Sequence, residues 1–262
     1  MPVPTPTRIT SRQHAVVRQC RAAAAGDDPD LILLDGEHLL QEALDAGVPI
    51  ALVLTDGRAQ AMAARARKSG AAAYEGTASV LEAASPVRTP SGVVALAEWR
   101  TTSVAKAMTA PDACCLGLVG VQDPGNAGSA IRAADALGAT GVLALEKTAD
   151  PRGWKTLRGS MGSIFHLPVG RGTVSDAMAE ATHAGMSVIA AVAEGGVPLP
   201  ELDLRGPALL LVGSEGAGLP ADVQQKADER VTIPMRPRVE SLNVAVTAAL
   251  LLFEMRRQRL LP

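Results

Sequence analysis

The chain has 262 residues, of which 47% are hydrophobic and 20% are charged, a balance typical of a soluble globular protein with one or two domains. The formal net charge of −2 excludes a globally basic surface, so contact with a nucleic acid would depend on local clusters of cations. Aromatic residues make up only 2% of the chain, which limits the number of rings on which unpaired bases can stack.

The cysteines and the lengths of the apolar runs indicate where in the cell the protein is located. Cys20, Cys114 and Cys115 form no C-x-x-C pair and no Cys/His spacing of a zinc site, so we expect no metal. Three cysteines, two of them adjacent in an apolar run, favour a reducing cytosol. The N-terminus lacks the apolar core of a signal peptide, and no apolar run approaches the roughly 20 residues that span a bilayer. We therefore expect a cytoplasmic protein without a membrane segment.

The first hundred residues predict a small α/β domain of alternating elements. A helix is expected from about Ser11 to Ala25, followed by the strand LILLDG and the amphipathic helix EHLLQEALDAG with a stop at Gly47. The strand IALVLTD, an Ala- and Arg-rich helix over Ala59–Ser69 and the strand SGVVALAE follow. We assign residues 1–29 to an N-terminal extension with a helix, 30–97 to this domain and the polar stretch 98–112 to a linker.

From Ala113 onward the alternation of elements restarts. The expected order is strand CCLGLVGV, helix NAGSAIRAADALG, strand GVLALE, a loop rich in Arg, Lys and Gly, helix VSDAMAEATHAG, strands SVIAAVAE and PALLLVGSEG, a short helix from Ala221, strand RVTIPM and a final helix. Strands that are continuous apolar runs separated by helices predict a parallel sheet covered on both faces. Residues 113–262 are therefore expected to form a second α/β domain.

Three unusual loops follow strands of this second domain: VQDPGNAGSAIRAADALG after Val121, Leu211–Pro220 and Ile233–Asn243. Ligands of open parallel sheets bind beyond the carboxyl ends of the strands, so these loops are the candidate site. The second loop has glycines spaced G-x-x-G-x-G, which is neither the dinucleotide-binding pattern nor a P-loop, and this argues against a Rossmann oxidoreductase. Its single carboxylate, Glu215, suits a cationic or hydroxyl-rich ligand better than a phosphate.

Taken one by one, the polar residues of these loops have ordinary explanations. Ser241 or Asn243 could simply cap the final apolar helix, because both residue types accept the free backbone N–H groups of a first turn. Arg132 falls on a helix face other than the one formed by Ala127 and Ile131, and a lone arginine there is more often a surface residue.

Together and in order, the three loops resemble the three motifs of the SpoU/TrmH-type RNA 2′-O-methyltransferases of the SPOUT superfamily. The matching segments are DPGNAGSAIRAADALGA, LLLVGSEGAGLP and IPMRPRVESLNVAVTAALLLFEMRRQ, and DPRGWKTLRGSMGSIFHLPV is similar to the segment that follows the second strand in these enzymes. The resemblance covers 113–262 closely. Over 30–97 it is looser, and there LLDGEHLLQEALDAG is similar to the family's small RNA-recognition domain.

The resemblance implies a C-terminal domain with a deep trefoil knot, an exception to the rule that chains avoid threading. It also implies S-adenosylmethionine as cofactor, an RNA substrate and a homodimer. The residues that match catalytic positions are Asn126, Arg132, Glu215, Ser241 and Asn243. Those that match cofactor-binding positions are Leu211, Gly213, Ser214, Gly218, Ile233, Met235 and Leu242. Those that match the basic RNA-contacting loop are Lys155, Arg158 and Ser160.

The implied reaction is methylation of a ribose 2′-hydroxyl in RNA, with 23S ribosomal RNA as the expected substrate because the family's minimal tRNA enzymes lack the N-terminal domain. A tRNA methyltransferase and a non-catalytic protein that binds RNA or cofactor remain alternatives. Family analogy makes Arg132 the residue that activates the hydroxyl. Because a guanidinium stays protonated at neutral pH, we expect Arg132 to hold the substrate and stabilise the developing alkoxide.

Overall fold

The computed structural model describes residues 6–110 and 112–260. Within them the contacts define two compact units. The first unit contains the chain up to Arg100 and, in addition, the segment Arg152–Phe165. The second unit contains Thr101–Pro151 and the chain from His166 onward.

The elements are numbered in chain order. Up to residue 110 they are β1 (Thr7–Ile9), α1 (Ala15–Ala25), β2 (Leu31–Asp35), α2 (Glu37–Asp45), β3 (Ile50–Thr55), α3 (Gln60–Lys68), β4 (Ala72–Gly76), α4 (Ala78–Ala84), β5 (Val93–Glu98) and α5 (Val104–Ala107). From residue 112 they are β6 (Cys114–Val119), α6 (Pro124–Leu137), β7 (Gly141–Leu145), α7 (Trp154–Ser160), β8 (Val169–Gly172), α8 (Val174–His183), β9 (Ser187–Ala191), β10 (Val197–Pro198), β11 (Ala208–Gly213), α9 (Ala221–Lys226), β12 (Glu229–Thr232) and α10 (Val244–Leu260).

The first unit is built on a mixed sheet with the strand order β1-β4-β3-β5-β2. Strand β5 is antiparallel to β2 and β3, whereas β4 is parallel to β1 and β3. The predicted strands β2, β3 and β5 are confirmed, and their buried side chains, such as Leu33, Leu54 and Leu96, form the core with α1 and α4. Strand β4 was not predicted, because its sequence AAYEG is exposed or half-buried throughout and has no apolar run.

Residues 152–165 pack within the first unit although they follow β7 in the sequence. Helix α7 buries Thr156, Leu157 and Ser160, and the guanidinium of Arg152 donates to the backbone carbonyls of Asp28 at 2.6 Å and Leu31 at 3.3 Å. The sequence indicated only an Arg- and Gly-rich loop here and assigned it to the range 113–262. The contacts group it with the first unit, and the other domain boundaries stay predictions.

The second unit is built on a seven-stranded sheet in the order β10-β12-β9-β11-β6-β7-β8, and every strand pair in it is parallel. This confirms the predicted parallel sheet. All residues of β6 and β7 are buried, as continuous apolar runs require. The short strand β8 was missed because its sequence VGRG carries no apolar run. The trefoil knot stays a prediction.

The strand order of this sheet reverses at its centre, between β6 and β11. After β6 the chain builds outward through β7 and β8, then returns to the far side of β6 for the remaining strands. Strands β6 and β11 are neighbours in register, so that Val119 at the end of one pairs with Gly213 at the end of the other. Loops that leave two such strand ends diverge into a crevice, where parallel sheets bind their ligands.

Within residues 6–110 and 112–260, no helix combines the length and the apolar composition that a membrane span needs.

The three thiols generate a prediction about this fold. Cys20, Cys114 and Cys115 are free and buried, and burial raises the pKa of the first two to about 12 and of the third to about 11. At pH 8 we expect none to react with dithiobis-nitrobenzoate in the native protein and all three to react in denaturant. An unfolded thiol has a pKa of about 8.5, so the native protein keeps these thiols protonated where the unfolded chain would lose the protons. The contribution of the buried thiols to the free energy of unfolding is therefore complete below that pH, and it is lost as the pH rises toward the pKa values of the folded protein. The free energy of unfolding should therefore fall between pH 8 and pH 10, and rapid labelling of a thiol in the native state would contradict the fold.

Candidate active site at the carboxyl ends of the parallel strands

Helix α6 begins directly after β6 and carries Asn126 in its first turn. Asp123 caps this helix, since its Oδ1 accepts a hydrogen bond from the backbone N–H of Asn126 at 2.8 Å. Pro124 occupies the first helical position, where its missing N–H costs nothing. The cap and the proline hold the backbone of Asn126 at the strand end, and its side chain is left for other contacts.

Strand β11 ends in a tight turn that carries Glu215. The N–H of Gly218 donates to the carbonyl of Ser214 at 2.8 Å, and Gly218 has a φ of 64°, which favours glycine. At the base of the turn, a Cβ added to Gly213 would lie closer than 3.0 Å to the backbone of Gly218 and Leu219. Glycine is needed there because the chain passes against itself.

Asn243 has two functions at the start of the final helix α10. Its Oδ1 accepts hydrogen bonds from the backbone N–H groups of Ala245 at 3.0 Å and Val246 at 3.3 Å, which is an N-cap. Its Nδ2 donates to Oδ1 of Asn126 at 3.0 Å and to Oε1 of Glu215 at 2.7 Å. The capping explanation is therefore correct for the oxygen of this amide, and the nitrogen serves a different purpose.

The three side chains close into one hydrogen-bonded group, called here the Asn126–Glu215–Asn243 cluster. Nδ2 of Asn126 donates to Oε1 of Glu215 at 2.6 Å, so a single carboxylate oxygen accepts from both amides. The three residues come from three loops that are between 28 and 117 positions apart in the sequence. Three of the five residues that match catalytic positions are thus brought into direct contact.

Beside the cluster lies a cavity of about 600 Å³. Its lining includes Glu215 and Ser241, and six of the seven residues that match cofactor-binding positions: Gly213, Ser214, Gly218, Ile233, Met235 and Leu242. The seventh, Leu211, is fully buried in β11 and does not line it. The volume is within the roughly 300–1,000 Å³ typical of small-molecule sites.

Sequence reasoning missed one wall of this cavity. The residues from Ala191 to Glu194, at the carboxyl end of β9, line it together with Gln224 of α9 and Thr247 of α10. Strand β9 is the neighbour of β11 on the side away from β6. The strand-end rule that selected the other loops would have found this wall, but its residues AVAE carry no distinctive side-chain pattern.

Arg132 lies on α6, six residues after Asn126, and is exposed. Within residues 6–110 and 112–260, its guanidinium makes no hydrogen bond or ion pair. Ser241 is also exposed, and it reaches the cavity. Both side chains are therefore available to a ligand.

The residues that match the basic loop lie in the first unit, on α7. Lys155 and Arg158 are exposed. Ser160 is fully buried, and its hydroxyl donates to the carbonyl of Leu157 at 2.8 Å, so this side chain is used within the helix.

Comparison with known proteins gives consistent matches. The sequence model of the SpoU rRNA Methylase family matches residues 113–253. The 23S rRNA (guanosine(2553)-2′-O)-methyltransferase RlmP of Bacillus subtilis is 33% identical over 86% of this chain and 88% of its own length.

Two solved structures match this chain over different shares of its length. An AdoMet-bound rRNA methyltransferase from Sinorhizobium meliloti matches with a TM-score of 0.88 and 31% identity, over 98% of this chain and 99% of that one. A structure that concerns 2-OH methylation of C/U34 on tRNA matches with a TM-score of 0.52 and 31% identity, over 57% of this chain and 97% of that one.

The close approach at the base of the glycine turn can be tested with Gly213→Ala. We expect the added methyl group to lower the free energy of unfolding by about 1–3 kcal/mol, because backbone and not a flexible side chain would have to move. Gly206→Ala is the matched control, since nothing lies within 4 Å of its added Cβ and its effect should stay within about 0.5 kcal/mol. Equal midpoints of urea unfolding for the two variants would show that the turn is not packed as described.

Proposed function

The chain belongs to the SpoU rRNA methylase family, and from this we propose that it transfers a methyl group from S-adenosylmethionine to a ribose 2′-hydroxyl of ribosomal RNA. The observation that carries the proposal is the Asn126–Glu215–Asn243 cluster beside the cavity. Glu215 belongs to both the cluster and the cavity wall. A group bound in the cavity is thereby placed next to polar side chains that a second substrate can reach.

Ribosomal RNA is the substrate best supported. The relatives whose names specify rRNA match nearly the whole chain, at 86% for the Bacillus subtilis enzyme and 98% for the Sinorhizobium meliloti structure. The tRNA-related structure matches only 57% of the chain. The wider match therefore favours ribosomal RNA over tRNA as the substrate class.

The cavity fits S-adenosylmethionine in size and in chemistry. Apolar side chains such as Ile233, Met235 and Leu242 suit the adenine ring, and the carboxylates of Glu194 and Glu240 suit the cationic groups of the molecule. The glycine turn offers backbone N–H and C=O groups without side chains in the way. When bound there, S-adenosylmethionine supplies a methyl group already activated by its sulfonium.

We propose separate roles for Arg132 of helix α6 and for the residues of the Asn126–Glu215–Asn243 cluster. A guanidinium is not a proton acceptor at neutral pH, so Arg132 holds the substrate and stabilises negative charge that develops on the 2′-oxygen. The amides of Asn126 and Asn243 fix Glu215 through Oε1. In the part of the chain that the structure describes, Oε2 of Glu215 makes no hydrogen bond, so it is the proton acceptor available to the hydroxyl.

A second copy of the chain is proposed to cover the outer face of α10. Val246, Leu250 and Phe253 are 47%, 38% and 57% exposed, and their spacing of four and three residues places them on one helix face. An apolar stripe of this kind on a helix next to the site fits a homodimer interface. With ribosomal RNA as substrate and three reduced cysteines, the cytoplasm is the proposed location.

The first unit is proposed to bind RNA through the exposed cations of α7. Lys155 and Arg158 lie one helical turn apart and suit phosphate contacts, which position an RNA without reading its sequence.

The test is methyl transfer from labelled S-adenosylmethionine to unmodified 23S ribosomal RNA and, separately, to unmodified tRNA, followed by nucleoside mass spectrometry. We expect a 2′-O-methylated nucleoside from the ribosomal RNA only. Arg132→Ala is the matched variant: its turnover should fall by about 100-fold or more, while its affinity for S-adenosylmethionine stays near that of the native chain. A base-methylated product, or full turnover in the variant, would contradict the proposal.

A further inference from the structure

The outward face of α7 carries a tryptophan beside two cations, in a chain in which only 2% of the residues are aromatic. The helix buries Thr156, Leu157 and Ser160 within the first unit. The residues that it leaves on the surface are the half-buried Trp154 and the exposed Lys155, Arg158 and Met161, the last of which ends the helix. Trp154 and Arg158 are four residues apart and therefore share one face of α7, and Met161 follows at the left-handed C-cap.

Trp154 is one of only two tryptophans in the chain, and the two rings differ in their surroundings. Trp99 packs edge to face on Phe165, with ring centroids 6.1 Å apart. In the described part of the first unit, the ring of Trp154 has no aromatic partner, and the ammonium of Lys155 lies 5.5 Å from its centroid. The half-buried ring keeps part of its surface open to solvent, with a cation beside it.

Met161 occupies a conformation that is costly for a residue with a side chain. Its φ is 52°, in the left-handed region, and its apolar side chain is 42% exposed. Nε2 of His38 lies 3.0 Å from its carbonyl oxygen and donates to it. At the next position, a Cβ added to Gly162 would collide with Glu42, so the turn is pressed against α2. The left-handed conformation of Met161 ends α7, and it leaves the methionine side chain partly exposed beside the helix.

The electrostatics of this face favour a polyanion. Lys155 and Arg158 are both exposed. Burial raises the pKa of the Asp35 carboxyl group, and the hydrogen bond from Ser85 and then the nearby charge of Arg158 oppose that rise. Asp35 is half-buried and accepts a hydrogen bond from Ser85, and Lys155 and Arg158 keep exposed side chains.

We propose that α7 forms a stacking subsite for an unpaired nucleotide of the RNA substrate. The base stacks on the ring of Trp154 and against Met161, and Lys155 and Arg158 contact the phosphates on either side. This inference rests on the proposed function and deepens it, because it states that the RNA is held in the first unit through a single-stranded segment and not through a duplex.

The experiment measures binding of the full-length chain to a ten-nucleotide RNA of mixed, G- and C-containing sequence that cannot pair with itself, alone or annealed to its complement, by fluorescence anisotropy at several salt concentrations. Trp154→Ala should weaken binding of the single strand by about 5- to 150-fold, the range that loss of one stacked base produces, with an unchanged salt dependence. Trp154→Phe should restore affinity to within a few-fold of the native chain. Lys155→Ala should make log affinity fall less steeply with log salt, by about 0.7 in the slope, as loss of one phosphate contact with a single strand predicts.

Three results would overturn the subsite: equal affinity of Trp154→Ala and the native chain, equal losses in the Ala and Phe variants, or tighter binding of the duplex than of the single strand. The urea unfolding midpoints of Trp154→Ala and Trp154→Phe check that the first unit is folded in each variant. With 23S ribosomal RNA as substrate, Trp154→Ala should raise KM and leave kcat unchanged. If the native chain methylates no RNA, the proposed function fails, whereas methylation with an unaffected KM in Trp154→Ala removes only the stacking subsite.

Discussion

The site depends on one carboxylate oxygen, Oε1 of Glu215, which accepts hydrogen bonds from the amides of Asn126 and Asn243. An ionised carboxylate is a strong acceptor, and two amide donors that converge on it fix the relative positions of three loops. Each of these loops also forms part of the start of a helix or the end of a strand. A shift in any one of them would therefore disturb the cavity wall and the cluster at the same time.

The parallel sheet makes this convergence possible. Neighbouring strands β6 and β11 end side by side, and their loops carry Asn126 and Glu215. The third partner comes from the start of α10, where Asn243 caps the helix through its oxygen and reaches the cluster through its nitrogen. One amide thus couples the stability of the last helix to the geometry of the site. A serine could also cap the helix, but its single O–H could donate to only one acceptor, whereas the amide nitrogen of Asn243 donates to both Asn126 and Glu215.

Most of this architecture could be predicted from the sequence, because buried parallel strands are continuous apolar runs and their loops lie at one edge. The apolar runs predicted β6, β7, β9 and β11, and motif similarity selected the residues of the cluster. The strands β4 and β8 could not be predicted, since AAYEG and VGRG contain no such run. The packing of α7 within the first unit depends on contacts between residues more than 100 positions apart, such as that of Arg152 with Asp28, which no local pattern encodes.

The most direct test of the account is a double-mutant cycle in the methyl-transfer reaction, with Asn126→Ala, Asn243→Ser and the double variant. Serine keeps the helix cap and removes the amide donor, so folding and function are separated. If the cluster acts as a unit, the double variant should lose about as much kcat/KM as the more damaged single variant, with a coupling energy of about 1 kcal/mol or more. Losses that multiply independently would contradict the claim that Glu215 is held by both amides together.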